Sequence, residues 1–137
     1  MNFNWWAIVV SVLLMNIVGM IWYGETILGR KWRSLVGVSD ADMEAAKKTS
    51  GPWKAMGIGM IASVVMIYVL AHIIYTYGAT TLVAGLQGGF WVWLGFFATT
   101  MLNGVLYERK PFTLYAINVG YYFVTLLAAG AILALWR

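Results

Sequence analysis

His72 is the only histidine in the chain, and no second histidine, cysteine or carboxylate stands at ligand spacing from it. With no cysteine at all, thiolate metal sites, iron–sulfur clusters, disulfides and cysteine nucleophiles are removed together. A lone imidazole can ligate a haem or pigment axially. The simpler expectation is a neutral His72 bonded to a neighbouring hydroxyl, amide or carbonyl, with no metal and no cofactor. As a candidate ligand it would lie on the outer side of the membrane.

Three amides, Asn16, Asn103 and Asn118, fall inside long apolar runs. An amide in lipid needs a partner, and interhelical bonds of this kind contribute roughly 0.6–2 kcal/mol. They serve either as glue between helices or as the polar lining of a solute site. Gly95, Thr99 and Asn103 recur every fourth residue, a small polar helix face expected to turn inward or toward a partner helix. Trp22, Tyr23, Glu25, Glu108 and Arg109 fall at the ends of apolar runs and form a candidate rim. There, Glu25 is expected to pair with Arg30 or Lys31, and Glu108 with Arg109. No carboxylate lies near the middle of a run, which weighs against a proton-coupled exchanger. No Ser-His-acid set and no phosphate-cradling loop is present, so no catalytic residue is assigned and an enzyme is not expected.

The elements that must position these residues follow from composition. Of 137 residues, 62% are hydrophobic and only 10% charged, against about 45–50% and about 25% in soluble domains. The apolar residues gather into four blocks, about 3–27, 53–77, 89–107 and 112–136. Crossing a hydrocarbon core of ~30 Å takes roughly 20 helical residues. Backbone groups in lipid must be paired internally, and the alternation of a membrane barrel is absent. The expected fold is a single all-α membrane domain of four transmembrane helices in an antiparallel bundle. The first block has no basic residue before it and no small-x-small cleavage site, so it is read as a helix, not a signal peptide.

Orientation rests on the basic residues. Arg30, Lys31, Arg33, Lys47, Lys48 and Lys54 lie between the first two blocks, Arg109 and Lys110 between the last two, and only Arg137 lies elsewhere. This asymmetry predicts that loops 28–52 and 108–111 are cytoplasmic and both termini periplasmic, in an inner membrane. The net charge of +4 is therefore topological: the lipid bilayer is the expected partner, and nucleic acid is not. Trp5, Trp6, Tyr75, Tyr77, Trp91, Trp93 and Trp136 would form an outer aromatic belt, and Trp22, Tyr23, Trp32, Trp53, Tyr107 and Tyr115 an inner one. Ser39 with Asp42 resembles a capping box, predicting a short cytoplasmic surface helix over 40–48. The glycine-rich stretch 78–89 is expected to be an outer loop at the interface.

The stretch Trp22-Tyr23-Gly24-Glu25-Thr26-Ile27-Leu28-Gly29-Arg30-Lys31-Trp32 resembles the bacterial integral membrane family catalogued as domain-of-unknown-function family 1761. Trp93-Leu94-Gly95-Phe96, Leu106-Tyr107-Glu108-Arg109-Lys110-Pro111 and Ile117-Asn118-Val119-Gly120-Tyr121 are similar to that family as well. The resemblance covers nearly the whole chain and implies a small four-span protein, with no activity attached. Small-residue rows on the second and fourth blocks invite helix contacts, so a homo-oligomer or a larger membrane complex is expected. The functional expectation is non-catalytic binding or passage of a small neutral or amphipathic solute, with Asn16, Thr99, Asn103 and Asn118 as its lining. The alternative is an accessory or scaffold subunit of a larger membrane assembly.

Overall fold

In the computed structural model, which describes residues 2–137, the chain is helical and holds no strand among the described residues. Helix α1 covers Trp5–Trp22 and starts where the Asn4 side chain accepts from the Trp6 and Ala7 amides. Two short helices follow, α2 (Gly29–Val36) and α3 (Asp40–Lys47). Gly37 ends α2 in the left-handed conformation at φ 78°, which glycine adopts without steric cost. Ser39 and Asp42 then close the expected capping box at the start of α3. Helix α4 (Gly51–Tyr77) carries Pro52 in its first turn, where a missing N–H costs nothing. Helix α5 runs over Leu82–Leu106, and α6 is Phe112–Leu135. Helices α1, α4, α5 and α6 are long and apolar enough to cross a membrane.

Three boundaries differ from the sequence reading. The first long helix stops at Trp22, and residues 23–28 form a turn that feeds α2. Helix α2 was not expected, because Gly29 and Gly37 bracket a charged stretch that reads as loop. Its amphipathic spacing places Trp32 and Leu35 half-buried while Arg30 and Lys31 stay exposed. The third difference is larger: stretch 78–89 is not an interfacial loop, since α5 begins at Leu82 behind a Thr81 cap. Its glycines are a contact surface. Gly85, Gly88 and Gly89 are all buried, and a Cβ on Gly85 would stand 2.5 Å from the Gly130 carbonyl oxygen and 2.8 Å from the Ala134 Cβ. Lipid supplies no hydrophobic force between helices, so close backbone approach of this kind carries the association.

Helix α6 packs against α1, α4 and α5. Contacts step forward along α5 as they step back along α6, from Gly85 at Gly130 to Trp93 at Val119 to Ala98 at Tyr115. The buried core sits in the half of the molecule that holds the chain ends: Ala7, Ile8, Val12 and Met15 meet Ile67, Leu70, Ile74, Leu126 and Leu133. Midway along α5, residues Trp93–Ala98 widen into a π-turn. The Thr99 hydroxyl donates to the Gly95 carbonyl at 2.7 Å and the Thr100 hydroxyl to Phe96, satisfying acceptors near the irregularity. The π-turn aims the Trp93 indole N–H at the Val119 carbonyl, 2.8 Å away. Trp93 is therefore a mid-span tie between helices and not a member of an outer belt.

In the other half of the molecule α1, α5 and α6 stay tied together and α4 stands exposed. Every residue of α4 from Gly51 to Ala62 is exposed, and an added Cβ on Gly57 or Gly59 would meet nothing within 4 Å. Outward apolar side chains such as Ile58, Ile61 and Phe96 are about two-thirds exposed (69%, 66% and 67%), as lipid-facing residues would be.

Candidate functional site

The end of α1 is fastened to the first half of α6 by two aromatic side chains. Trp22 donates its indole N–H to the Ile117 carbonyl at 2.9 Å, and its ring fills the space beside Gly120, where a Cβ would come within 3.2 Å. Tyr23 donates its hydroxyl to Asn118 Oδ1 at 2.7 Å. From the facing side, Tyr121 donates to the Met15 carbonyl at 2.8 Å, with its ring against Gly19. Both Trp22 and Tyr23 thus turn inward, where the sequence reading had them in an inner interfacial belt. An indole or phenol whose polar group finds a carbonyl or amide on a neighbouring helix gains a bond that water would otherwise supply.

The turn after Tyr23 is sharp enough that position 29 must lack a side chain. A Cβ on the buried Gly29 would stand 2.8 Å from the Gly24 backbone, and the Gly29 amide donates to the Gly24 carbonyl at 2.9 Å. Helix α2 therefore starts directly beneath the turn and brings Trp32 edge-on to the Tyr23 ring, 5.8 Å between centroids. Arg33, only 14% exposed at its side chain, bonds Glu25 at 3.1 Å and reaches Asp40 at 3.5 Å. The partner of Glu25 is thus Arg33, not Arg30 or Lys31, because one helical turn past Gly29 carries Arg33 back beneath the turn that holds Glu25. Tyr23, Glu25, Trp32, Arg33, Met43 and Asn118 border a cavity of about 460 Å³.

Asn118 also borders a second cavity, of about 300 Å³, between α5 and α6. Thr100, Asn103, Glu108, Lys110 and Tyr115 line it with Asn118. Tyr115 is tied to the Ala98 carbonyl at 2.7 Å, so its ring is held in place. The turn that closes this cavity puts Arg109 at φ 58°, and the Lys110 amide donates to the Gly104 carbonyl. That left-handed residue swings Arg109 out and Lys110 back, so Glu108 pairs with Lys110 at 3.3 Å in place of the expected Arg109. Each cavity is bordered by compensated charge. The Asn118 amide is oriented by Tyr23 and shared between them.

Two of the three amides, Asn103 and Asn118, come together. Asn16 does not: it donates to the Val12 carbonyl at 2.8 Å and to the Met60 sulfur at 3.5 Å, bordering a separate cleft. Thr99 is spent on its own helix. The Gly95–Thr99–Asn103 face is exposed and not turned inward, because the glycines at 85, 88 and 89 and the rings of Trp93 and Phe97 take the contact side of α5. His72 sits among rings, 4.6 Å from Phe3 and 4.8 Å from Tyr68 between centroids, and makes no hydrogen bond to a hydroxyl, amide or carbonyl among the described residues. Among the described residues, no group of three His, Cys, Asp or Glu side chains gathers that could hold a metal ion. Arg33, Lys110, Trp32 and Tyr115 were not foreseen as site residues. The amphipathic period of 29–36 was the available signal for the α2 pair.

Residues 6–134 match the family described as protein of unknown function (DUF1761). The chain belongs to that family. No curated protein and no solved structure matches it. The matched region runs from the first turn of α1 to the last turn of α6, so it takes in all four long helices of this DUF1761 protein but for Trp5 and Leu135 at their outer ends. Two stretches that carry the sequence resemblance, 22–32 and 117–121, meet at the Trp22–Ile117 and Tyr23–Asn118 bonds.

Proposed function

We propose that this DUF1761 protein is a non-catalytic membrane protein that binds or passes a small neutral or amphipathic solute at the paired cavities around Asn118. The observation that carries the reading is one amide, oriented by the Tyr23 hydroxyl, that borders both cavities. Amide, hydroxyl and aromatic groups with a few convergent polar contacts suit an uncharged or weakly polar guest. The Glu25–Arg33 and Glu108–Lys110 pairs leave no net charge to attract an ion. Asn103 remains in the lining, whereas Asn16 takes the role of glue on α1. The threading that goes with this reading sets loops 28–52 and 108–111, and with them the cavities, on the cytoplasmic side of an inner membrane.

A scaffold role is the second reading, and the exposed first half of α4, residues 51–62, supports it. A helix face with no partner inside the protomer suits a second copy or a larger assembly. The two readings separate in one experiment. Small molecules retained by the protein purified from its native membrane into nanodiscs are extracted and profiled by mass spectrometry. Wild type is compared with the Tyr23→Phe/Asn118→Leu pair and with Asn16→Leu. The solute reading expects the retained species to vanish from the pair while assembly persists, and to survive in Asn16→Leu. Identical profiles in all three proteins would replace it with the scaffold reading.

A further inference from the structure

Five of the eight methionines, Met15, Met20, Met56, Met60 and Met66, border a single cleft of about 510 Å³ between α1, the first half of α4 and α6. Methionine often serves as a flexible filler of irregular gaps. Here the gap is not filled: Met20, Met56 and Met60 are 71%, 60% and 40% exposed while the cleft stays open beside them. Met56 and Met60 stand one helical turn apart on the same face of α4. Asn16 donates to the Met60 sulfur at 3.5 Å, which holds that thioether on the cleft wall. Tyr121 and Tyr122 border the same cleft from α6.

We infer that this cleft is a thioether site for a soft monovalent cation of the cuprous or silver class. Thioether sulfur is a soft donor that selects such ions over magnesium and calcium. The cleft contains no carboxylate, thiolate or imidazole, so nothing in it offsets the second charge of a divalent ion. A single charge carries the smaller desolvation cost at membrane depth. The tyrosine rings add the attraction of an aromatic group for a nearby cation. Unbranched methionine side chains have the rotatable bonds needed to bring sulfurs from α1 and α4 onto one ion. The site is separate from the Asn118 cavities and stands whether or not those bind a solute.

The test uses full-length protein in nanodiscs and silver nitrate in chloride-free buffer, since silver(I) needs no reductant. One silver ion per chain is expected, with sulfur as the near neighbour in X-ray absorption spectra. Met56→Leu/Met60→Leu, a swap that nearly conserves volume, should weaken binding by at least about tenfold. Met43→Leu/Met101→Leu, which removes thioethers outside the cleft, should leave binding unchanged. The inference is overturned by spectra of the wild type showing only oxygen or nitrogen neighbours, by absence of stoichiometric binding, or by equal loss in both Leu pairs. Wild-type spectra without sulfur neighbours overturn the inference even if a Leu variant fails to assemble.

Discussion

Replacing Gly85 by alanine tests whether backbone contact between α5 and α6 is what holds the bundle. The added Cβ would stand 2.5 Å from the Gly130 carbonyl oxygen and 3.0 Å from the Ala131 Cα, where ordinary contact begins near 3.4 Å. The shortfall of about 0.9 Å falls on main-chain atoms, which cannot rotate away. The helices must therefore part by most of an ångström, and a gap of 0.5–1 Å already forfeits roughly a quarter to a half of each dispersion contact. Overpacking of this kind costs about 1–3 kcal/mol, offset by about 0.5–1 kcal/mol because alanine favours the helix over glycine. The expected net loss for Gly85→Ala is up to about 2.5 kcal/mol, centred on about 1 kcal/mol. Gly95→Ala on the same helix is the control, since its Cβ would meet nothing within 4 Å; it should be neutral or stabilising by up to about 1 kcal/mol. Both variants are unfolded reversibly by dodecyl sulfate in mixed micelles, with helix content followed by circular dichroism. Equal midpoints for the two variants would refute the claim that the glycines are contact surface.

Tyr23→Phe removes the donor to Asn118 and should cost about 0.5–1.5 kcal/mol in the same titration. Tyr77→Phe, at an exposed side chain, should cost nothing measurable. The Ser39 backbone and hydroxyl bonds hold the Asp42 carboxyl below the usual carboxylate range, so the contribution of the ionised capping box is complete above that range and is lost as pH falls through the lowered value. Ser39→Ala should move the Asp42 titration, read by NMR, back up toward the ordinary value, and α3 should fray. A reporter active only in the cytoplasm should stay silent when fused after Arg137 and give signal when inserted in the 108–111 turn. The reverse pattern would invert the threading.

The existence of the four long helices was legible because twenty-residue apolar runs leave few alternatives, and the α3 cap because Ser39 and Asp42 act within one turn. The start of α5 was not. Gly85, Gly88 and Gly89 read as flexible loop when only composition is seen, since glycine is equally the residue of turns and of close helix contact. What distinguishes the two uses is the partner at Gly130, 45 residues away in sequence. The same reason hid the inward turn of Trp22, Tyr23 and Trp93. An aromatic ring near the end of an apolar run has equal local claims to the lipid interface and to a carbonyl or amide on a neighbouring helix, and only Ile117, Asn118 and Val119 decide between them.

The candidate site divides along the same line. Asn103 and Asn118 were legible as polar groups inside apolar runs, but pairing them, and excluding Asn16, required the packing of α5 on α6. The ion pairs were misassigned by sequence adjacency. Glu25 and Glu108 each pass over the nearest cation because the backbone redirects it: one helical turn carries Arg33 inward, and the left-handed Arg109 brings Lys110 back. Both redirections depend on a local backbone feature, the Gly29 contact in one and the turn at 109 in the other. The cavity charges are thus set by turn geometry, and Gly29→Ala should disturb the Asn118 site without touching any residue that borders its α5 side. Its Cβ would collide with the Gly24 backbone, displacing α2 and releasing Arg33 from Glu25. Crosslinking between cysteines placed at 32 and 43 should then lose efficiency, while a pair placed at 103 and 115 should keep it. Unchanged crosslinking at both pairs would show that Gly29 does not set the geometry of α2.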